Sequence, residues 1–183
     1  MRIIAGSARG RTFDAPQGLD TRPTLDRVRE NVFNILQMKV RGAKVLDLFS
    51  GSGAMAFEAI SRGAESAILV DIDPKAHAAE QRNAQRLRMD GQCRLMHCSW
   101  EQALRTLAAA GERFDAVFLD PPYKMHDLTQ VFSALAPLMA EDGVVLLEHE
   151  AKTFPSVCDG WYLYDSRKYG VAGVSFFRRA REE

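Results

Sequence analysis

Five short apolar runs, at 44–49, 66–71, 92–98, 114–119 and 143–149, alternate with segments whose apolar residues recur at helical spacing, at about 53–62, 74–88, 100–110 and 127–140. A strand with one wet face alternates apolar and polar residues, whereas a strand covered on both faces reads as a nearly unbroken Val/Ile/Leu run. Val45-Leu46-Asp47-Leu48 and Ala116-Val117-Phe118-Leu119 are of the second kind, and each is followed by a helical pattern. That alternation predicts an α/β fold, a doubly wound, Rossmann-like sheet of seven strands, mostly parallel, with helices on both faces. The tail has a different grammar. Segments 161–169 and 171–178 meet around Gly170 with no helix between them, which predicts an antiparallel hairpin at one edge of the sheet.

Upstream of the first run, residues 1–22 are rich in Gly, Arg and Thr with short apolar pieces (Ile3, Ile4, Phe13), the composition of a small hairpin or extended arm. Leu25, Val28, Val32, Ile35 and Leu36 then recur at helical spacing, so a helix capped near Thr24 should run to about Met38. Residues 1–40 are therefore expected to form a small N-terminal extension, and residues 41–183 the main domain; 183 residues leave no room for a second full-sized one. The chain is neutral, with 24 Lys/Arg and 24 Asp/Glu, but unevenly so: residues 1–44 carry nine basic and four acidic side chains, the remainder 15 and 20. A basic arm on an acidic body suits contact with a polyanion, and equally a solvated charged helix.

No apolar run approaches the roughly 20 residues that span a bilayer, and Arg2, Arg9 and Arg11 break the N-terminal run that a secretory signal would need. A cytoplasmic location is the expectation. Cys93, Cys98 and Cys158 form no CxxC pair and read as small core residues. His77, His97, His126 and His149 show no metal-ligand spacing, and no metal is expected.

In open α/β sheets, ligands bind beyond the carboxyl ends of the strands. The first strand ends in Asp47-Leu48-Phe49-Ser50-Gly51-Ser52-Gly53 and the second in Asp71-Ile72-Asp73. Glycines at 51 and 53 allow a tight turn and close backbone approach, and a carboxylate about twenty residues later can accept hydrogen bonds from a ribose diol. Gly51-x-Gly53-x-x-Ala56 also satisfies the dinucleotide fingerprint, so a nicotinamide-dependent oxidoreductase is an alternative. Asp47 separates the two. A carboxylate beside the turn repels a pyrophosphate but suits the cationic S-adenosylmethionine. The fourth strand ends in Asp120-Pro121-Pro122-Tyr123. An amine conjugated to a planar ring is a poor nucleophile, and two acceptors, the Asp120 side chain and the Pro121 carbonyl, could hold its hydrogens. Pro122 stiffens the loop, and Tyr123 offers a ring face to a base.

These residues carry a family resemblance. VLDLFSGSGAMAFEAISRGA at 45–64, VDID at 70–73 and DPPY at 120–123 are similar to class I S-adenosylmethionine-dependent methyltransferases that act on amines. RIIAGSARGRTFDAP at 2–16 and TRPTLDRVRENVFNIL at 21–36 resemble the opening of the bacterial RsmD-type enzymes, which methylate N2 of a guanine in 16S ribosomal RNA. The resemblance implies that Asp47, Phe49, Gly51 and Gly53 lie at the methionine end of the cofactor, Asp71 at its ribose, and Ile72, Ser99 and Trp100 around its adenine. It implies that Asp120 to Tyr123 grip the target base, and that Arg9, Arg11, Arg22, Arg27 and Arg29 face RNA phosphates. Ser99 stands where many relatives have Asp or Asn. The implied partner is 16S rRNA, free or within a small-subunit assembly intermediate, met by a monomer. DPPY-type loops also suit adenine N6 or cytosine amines in DNA or other RNA, and an RNA-binding factor without turnover is the non-enzymatic alternative.

Overall fold

The computed structural model describes residues 1–15, 23–122, 124–154 and 156–180, with the side chains of residues 23–25 excepted. Seven strands, β1 (Lys44–Leu48), β2 (Ser66–Asp71), β3 (Cys93–His97), β4 (Phe114–Leu119), β5 (Met139–Glu150), β6 (Trp161–Tyr169) and β7 (Ala172–Arg179), form one sheet in the order 3-2-1-4-5-7-6. β1 to β5 pair in parallel, and β7 inserts antiparallel between β5 and β6. The doubly wound expectation and the terminal hairpin both hold.

The helices are α1 (Pro23–Ile35), α2 (Gln37–Val40), α3 (Ala54–Ser61), α4 (Pro74–Leu87), α5 (Trp100–Ala109) and α6 (Thr129–Leu135). They cover two separate apolar layers. One face of the sheet packs Val45, Leu69, Phe118, Leu146 and Phe176 against α1, α3 and α4; the other packs Leu46, Val70, Val117, Leu147 and Phe177 against α5 and α6. Both faces being buried explains why the strands lack polar alternation.

Two elements differ from the sequence expectation. The helix expected over 24–38 breaks at Leu36, whose φ of −86° and ψ of 2° leave the helical region; its carbonyl accepts from Lys39 and Val40 to start α2. Both Leu36 and Val40 stay buried, so the break re-aims the chain without losing its apolar face. The helix expected over 127–140 ends at Leu135. Pro137 supplies no N–H, a 3-10 turn (Ala136–Leu138) follows, and Met139 already pairs with Phe114. A register shift then realigns Val144 with Ala116, and Gly143 sits at the crossing, where a Cβ would come 2.8 Å from the Phe114 carbonyl oxygen.

The N-terminal residues form the expected small hairpin, with Arg2 bridged to Thr12 and Phe13 N–H donating to Met1 O at 3.0 Å. Residues 1–40 are nonetheless no detached extension. Ile3, Ala8, Phe13, Val32, Phe33 and Leu36 are buried in the same core as Phe57, Phe118 and Phe176. The rings of Phe33 and Phe118 meet at 5.6 Å, and those of Phe13 and Phe57 at 6.2 Å. Buried Glu58 on α3 accepts from Ile4 N–H at 2.8 Å and Ala5 N–H at 3.0 Å. The change of composition near residue 40 marks a change of charge, not of packing.

Candidate active site

Side chains along a strand alternate between the two faces of a sheet. On β1, Val45 points into the α1/α3/α4 layer and so, two residues on, does Asp47. The same count carries Leu69 to Asp71 on β2, Phe118 to Asp120 beyond β4, and Leu146 to Glu148 on β5. Asp47 is in register with Leu69 and Phe118, and Leu147 with Leu119, so all four carboxylates emerge at the carboxyl edge on one face. Sheet order makes them a row, Asp71, Asp47, Asp120, Glu148, on strands about 5 Å apart, with Asp47 two residues deeper along its strand than its neighbours. Among the described residues, no Lys or Arg forms an ion pair with any of them.

The turn from β1 to α3 shapes the floor. Phe49, Gly51 and Gly53 all have positive φ, at 68°, 56° and 79°. A Cβ on Gly53 would stand 2.5 Å from the Phe57 ring and 2.7 Å from Leu69, so only glycine fits. Phe49 holds a left-handed backbone without glycine's freedom, a strain of about 1 kcal/mol or more, in a turn where the N–H groups of Phe49 and Ser50 donate to the Val70 carbonyl and that of Gly53 to the Ser50 carbonyl. Asp71 fastens that turn: Oδ2 accepts from Gly51 N–H at 2.8 Å and Oδ1 from Asp73 N–H at 2.9 Å. Asp73 in turn caps α4 by accepting from Lys75 N–H at 2.8 Å.

Burial dominates the electrostatics. Asp47 is enclosed, accepts one hydrogen bond, from Ala56 N–H at 3.1 Å, and is held well above the usual carboxylate range by dehydration and by the charges of Glu80, Asp120 and Asp71. Asp120 keeps an outer surface open to water while protein crowds it from most sides, as at the bottom of a cleft, and that dehydration lifts its pKa to about 6. Glu148 is pushed up to about 7, by burial first and by Asp120 second. Pro121, Pro122, Met125, His126 and Glu148 wall a concavity at this end of the row.

The residues implied for the adenine end occupy different situations. Ile72 is 67% exposed beside Asp71, an apolar surface with nothing packed on it among the described residues. Ser99 caps α5, its hydroxyl accepting from Gln102 N–H at 3.4 Å, and Trp100 opens that helix, half-buried against the second apolar layer. Tyr123 and Arg22 lie outside the described residues.

Of the basic residues, Arg9 and Arg27 are exposed and line an open groove of about 800 Å³ between the N-terminal hairpin and α1, together with Asp26 and Glu30. Arg11 is exposed but donates to the Leu87 carbonyl at 3.2 Å. Arg29 departs from the expectation of an RNA contact. Its side chain is 4% exposed, donates to the Arg2 carbonyl at 2.6 Å and to Asp26 at 3.0 Å, and lies 3.7 Å from Glu58, so its charge is committed inside the fold.

Sequence reasoning missed several polar residues behind the site. Glu80 on α4 is fully buried and takes the Ser50 hydroxyl at 2.5 Å. Asn83, one turn further, donates to the carbonyls of Ser52 at 3.0 Å and Asp14 at 3.1 Å, and accepts from Asp14 N–H at 2.8 Å. Nothing in a helix of mixed Ala, Glu, Gln, Arg and Asn residues singles these two out, because the hairpin that buries them is more than 60 residues away in the chain.

The profile of the family described as conserved hypothetical protein 95 matches residues 1–178. The chain belongs to this family. The match runs from the N-terminal hairpin into β7, in keeping with the single shared core. YlbH of Bacillus subtilis (strain 168) is 35% identical over 182 residues, covering 98% of this chain and 99% of that protein. The ribosomal RNA small subunit methyltransferase D of Escherichia coli (strain K12) is 32% identical, covering 98% of this chain and 90% of its own length. Among solved structures, the Escherichia coli protein yhhF superposes with a TM-score of 0.84 at 31% identity, over 98% of this chain and 97% of that one.

Proposed function

We propose that the protein is an S-adenosylmethionine-dependent methyltransferase that modifies the exocyclic N2 amine of a guanine in 16S rRNA. The observation that carries this reading is the row of four carboxylates at one sheet edge with no cationic partner among the described residues. Such a row disfavours a nucleotide pyrophosphate and favours a ligand that brings positive charge. That fit, with a turn that admits no side chain at Gly53 and an apolar face at Ile72, matches S-adenosylmethionine, which supplies a sulfonium-bound methyl group. The full-length relative named as an rRNA small-subunit methyltransferase supports the substrate class.

In this reading Asp47 and the turn at Gly51 and Gly53 hold the methionine end, with Phe49 beside them. Asp71 takes the ribose hydroxyls, Ile72 the adenine face, and Ser99 and Trp100 the adenine edge. Asp120 and the Pro121 carbonyl accept the hydrogens of the target amine, while Pro122 and Tyr123 fix the plane of the base. Asp120 acts chiefly by orientation, because an aromatic amine that has gained a methyl group is acidic enough to lose its proton readily. Arg9, Arg11, Arg22 and Arg27 would meet backbone phosphates and give salt-dependent affinity. The substrate is 16S rRNA in a small-subunit assembly intermediate, met in the cytoplasm by a monomer. Among the described residues no helix is long and apolar enough to cross a membrane.

Labelled S-adenosylmethionine offered with naked 16S rRNA, assembling small subunits or DNA tests this directly, with mass mapping of the product nucleotide. Label at guanine N2 in the RNA is the expected result, and label only at adenine or cytosine overturns the acceptor. Asp120→Ala should abolish turnover while cofactor binding persists; normal turnover by that variant would remove Asp120 from the mechanism.

A further inference from the structure

We propose that Glu148 is the residue that selects guanine: beside the amine acceptor Asp120, its carboxylate accepts the N1–H of the target base. This rests on the proposed function and adds the group that reads the base. The argument begins with placement. Glu148 and Asp120 share one sheet face on adjacent parallel strands, one residue beyond the Leu119–Leu147 pair, so their carboxyls stand side by side at the edge. Glu148 lines the concavity that Pro121 and Pro122 wall, and Asp120 immediately precedes those prolines in the loop already argued to grip the base. On its other side Glu148 is in register with Val174 of β7.

Nothing in the fold calls for an acid there. Glu148 is half-buried and makes no hydrogen bond or ion pair with any described residue. Its neighbour Asp120 and its own dehydration both oppose its charge. A carboxylate kept without a partner beside another carboxylate is explained if a ligand brings the missing donors.

Base chemistry says which ligand does so. The Watson–Crick edge of guanine presents two adjacent donors, N1–H and the N2 amine. Adenine presents its amine beside the N1 lone pair, and cytosine its amine beside the N3 lone pair. Glu148 is a pure acceptor in its ionised form, the form that the donors of a bound guanine favour. Two acceptors side by side are therefore matched by guanine alone, while adenine or cytosine would set a lone pair against Glu148 and leave both groups unpaired. The Asp120-Pro121-Pro122 loop by itself recognises any planar amine; the second carboxylate makes it a guanine reader.

The test uses full-length protein and synthetic rRNA fragments carrying, at the mapped target position, either guanine or 2-aminopurine. The analogue keeps the N2 amine and replaces the N1–H with a lone pair. The wild type should prefer guanine by about 100-fold in kcat/KM, the scale set by leaving a buried polar group unpaired. Glu148→Gln, whose amide can donate to that lone pair through Nε2 or accept N1–H through Oε1, should gain on 2-aminopurine and bring the two within about tenfold, with S-adenosylhomocysteine affinity unchanged. A change of preference is something lost packing would not produce. If the wild type uses both bases equally, or Glu148→Gln keeps the wild-type preference, the assignment of Glu148 is overturned while guanine methylation stands. If the wild type labels no guanine in any RNA, the proposed function itself falls. Where the variant does not fold, equal use of the two bases by the wild type still overturns the assignment.

Discussion

Glu80 offers a measurement in which the buried charge behind the glycine turn reports on itself. Its carboxyl is completely covered, with Oε1 on the Ser50 hydroxyl at 2.5 Å and Oε2 without a hydrogen-bond partner, 3.6 Å from an equally unpartnered His77 Nδ1. Dehydration raises its pKa from the ordinary 4.5 to about 7, outweighing the Ser50 hydrogen bond that favours the charge, with Asp71 adding to the rise. Above pH 4.5 the unfolded chain loses this proton while the native carboxyl keeps it to about 7. The native state therefore binds more protons across that interval, and stability declines as pH rises through it. At about 1.4 kcal/mol for each pH unit, the full decline is about 3 kcal/mol, of which about 2.5 falls between pH 5 and pH 8.5. Glu80→Gln keeps the acceptor for Ser50 and gives His77 Nδ1 a donor, and it cannot ionise. Urea unfolding at the two pH values should show the variant gaining about 2.5 kcal/mol on the wild type at pH 8.5 relative to pH 5, with unchanged m, or about 5–10 °C in Tm for a chain of this size. An equal difference between variant and wild type at both pH values would refute the claim that Glu80 is ionised in the native state only above about pH 7.

Gly53→Ala, forced to φ of 79° with its Cβ 2.5 Å from Phe57, should destabilise by about 3 kcal/mol in urea unfolding and remove S-adenosylhomocysteine binding in calorimetry. Asn83→Ala leaves the Asp14 N–H and the carbonyls of Asp14 and Ser52 without partners. It should destabilise by about 3 kcal/mol and make the N-terminal hairpin the first site of limited proteolysis. Arg29→Ala should destabilise by about 3 kcal/mol by emptying the buried space its side chain fills and removing the donor to the Arg2 carbonyl and Asp26, whereas exposed Arg27→Ala should change stability by less than about 0.5 kcal/mol. In filter binding, Arg27→Ala should lower the slope of RNA affinity against log salt by about one, the mark of a single lost phosphate contact.

The strands and their parallel pairing were legible because burial on both faces leaves short continuous Val/Ile/Leu runs, each followed by a segment of helical spacing. Asp47, Asp71 and Asp120 stood out because each interrupts or ends such a run, where a charge needs a reason. Arg29 was misread from the same sequence. Exposure of an arginine depends on what packs over it, and here that is the Arg2 carbonyl, Asp26 and Glu58. Helix ends were less legible than helix bodies: Leu36 and Pro137 end their helices through local backbone geometry and a missing donor that apolar periodicity does not register.

By itself, the order of residues determined the sheet, its winding, the glycine turn and three of the carboxylates, since each depends on short-range pattern and on the two-residue alternation of strands. Only the tertiary structure decided which of these charges share a face, that Glu148 stands beside Asp120, and that the N-terminal hairpin is fastened to the glycine turn through Asn83. Those facts depend on strand order and on contacts between residues 28 to 69 positions apart, and distance along the chain carries no information about neighbours in space until the core has formed.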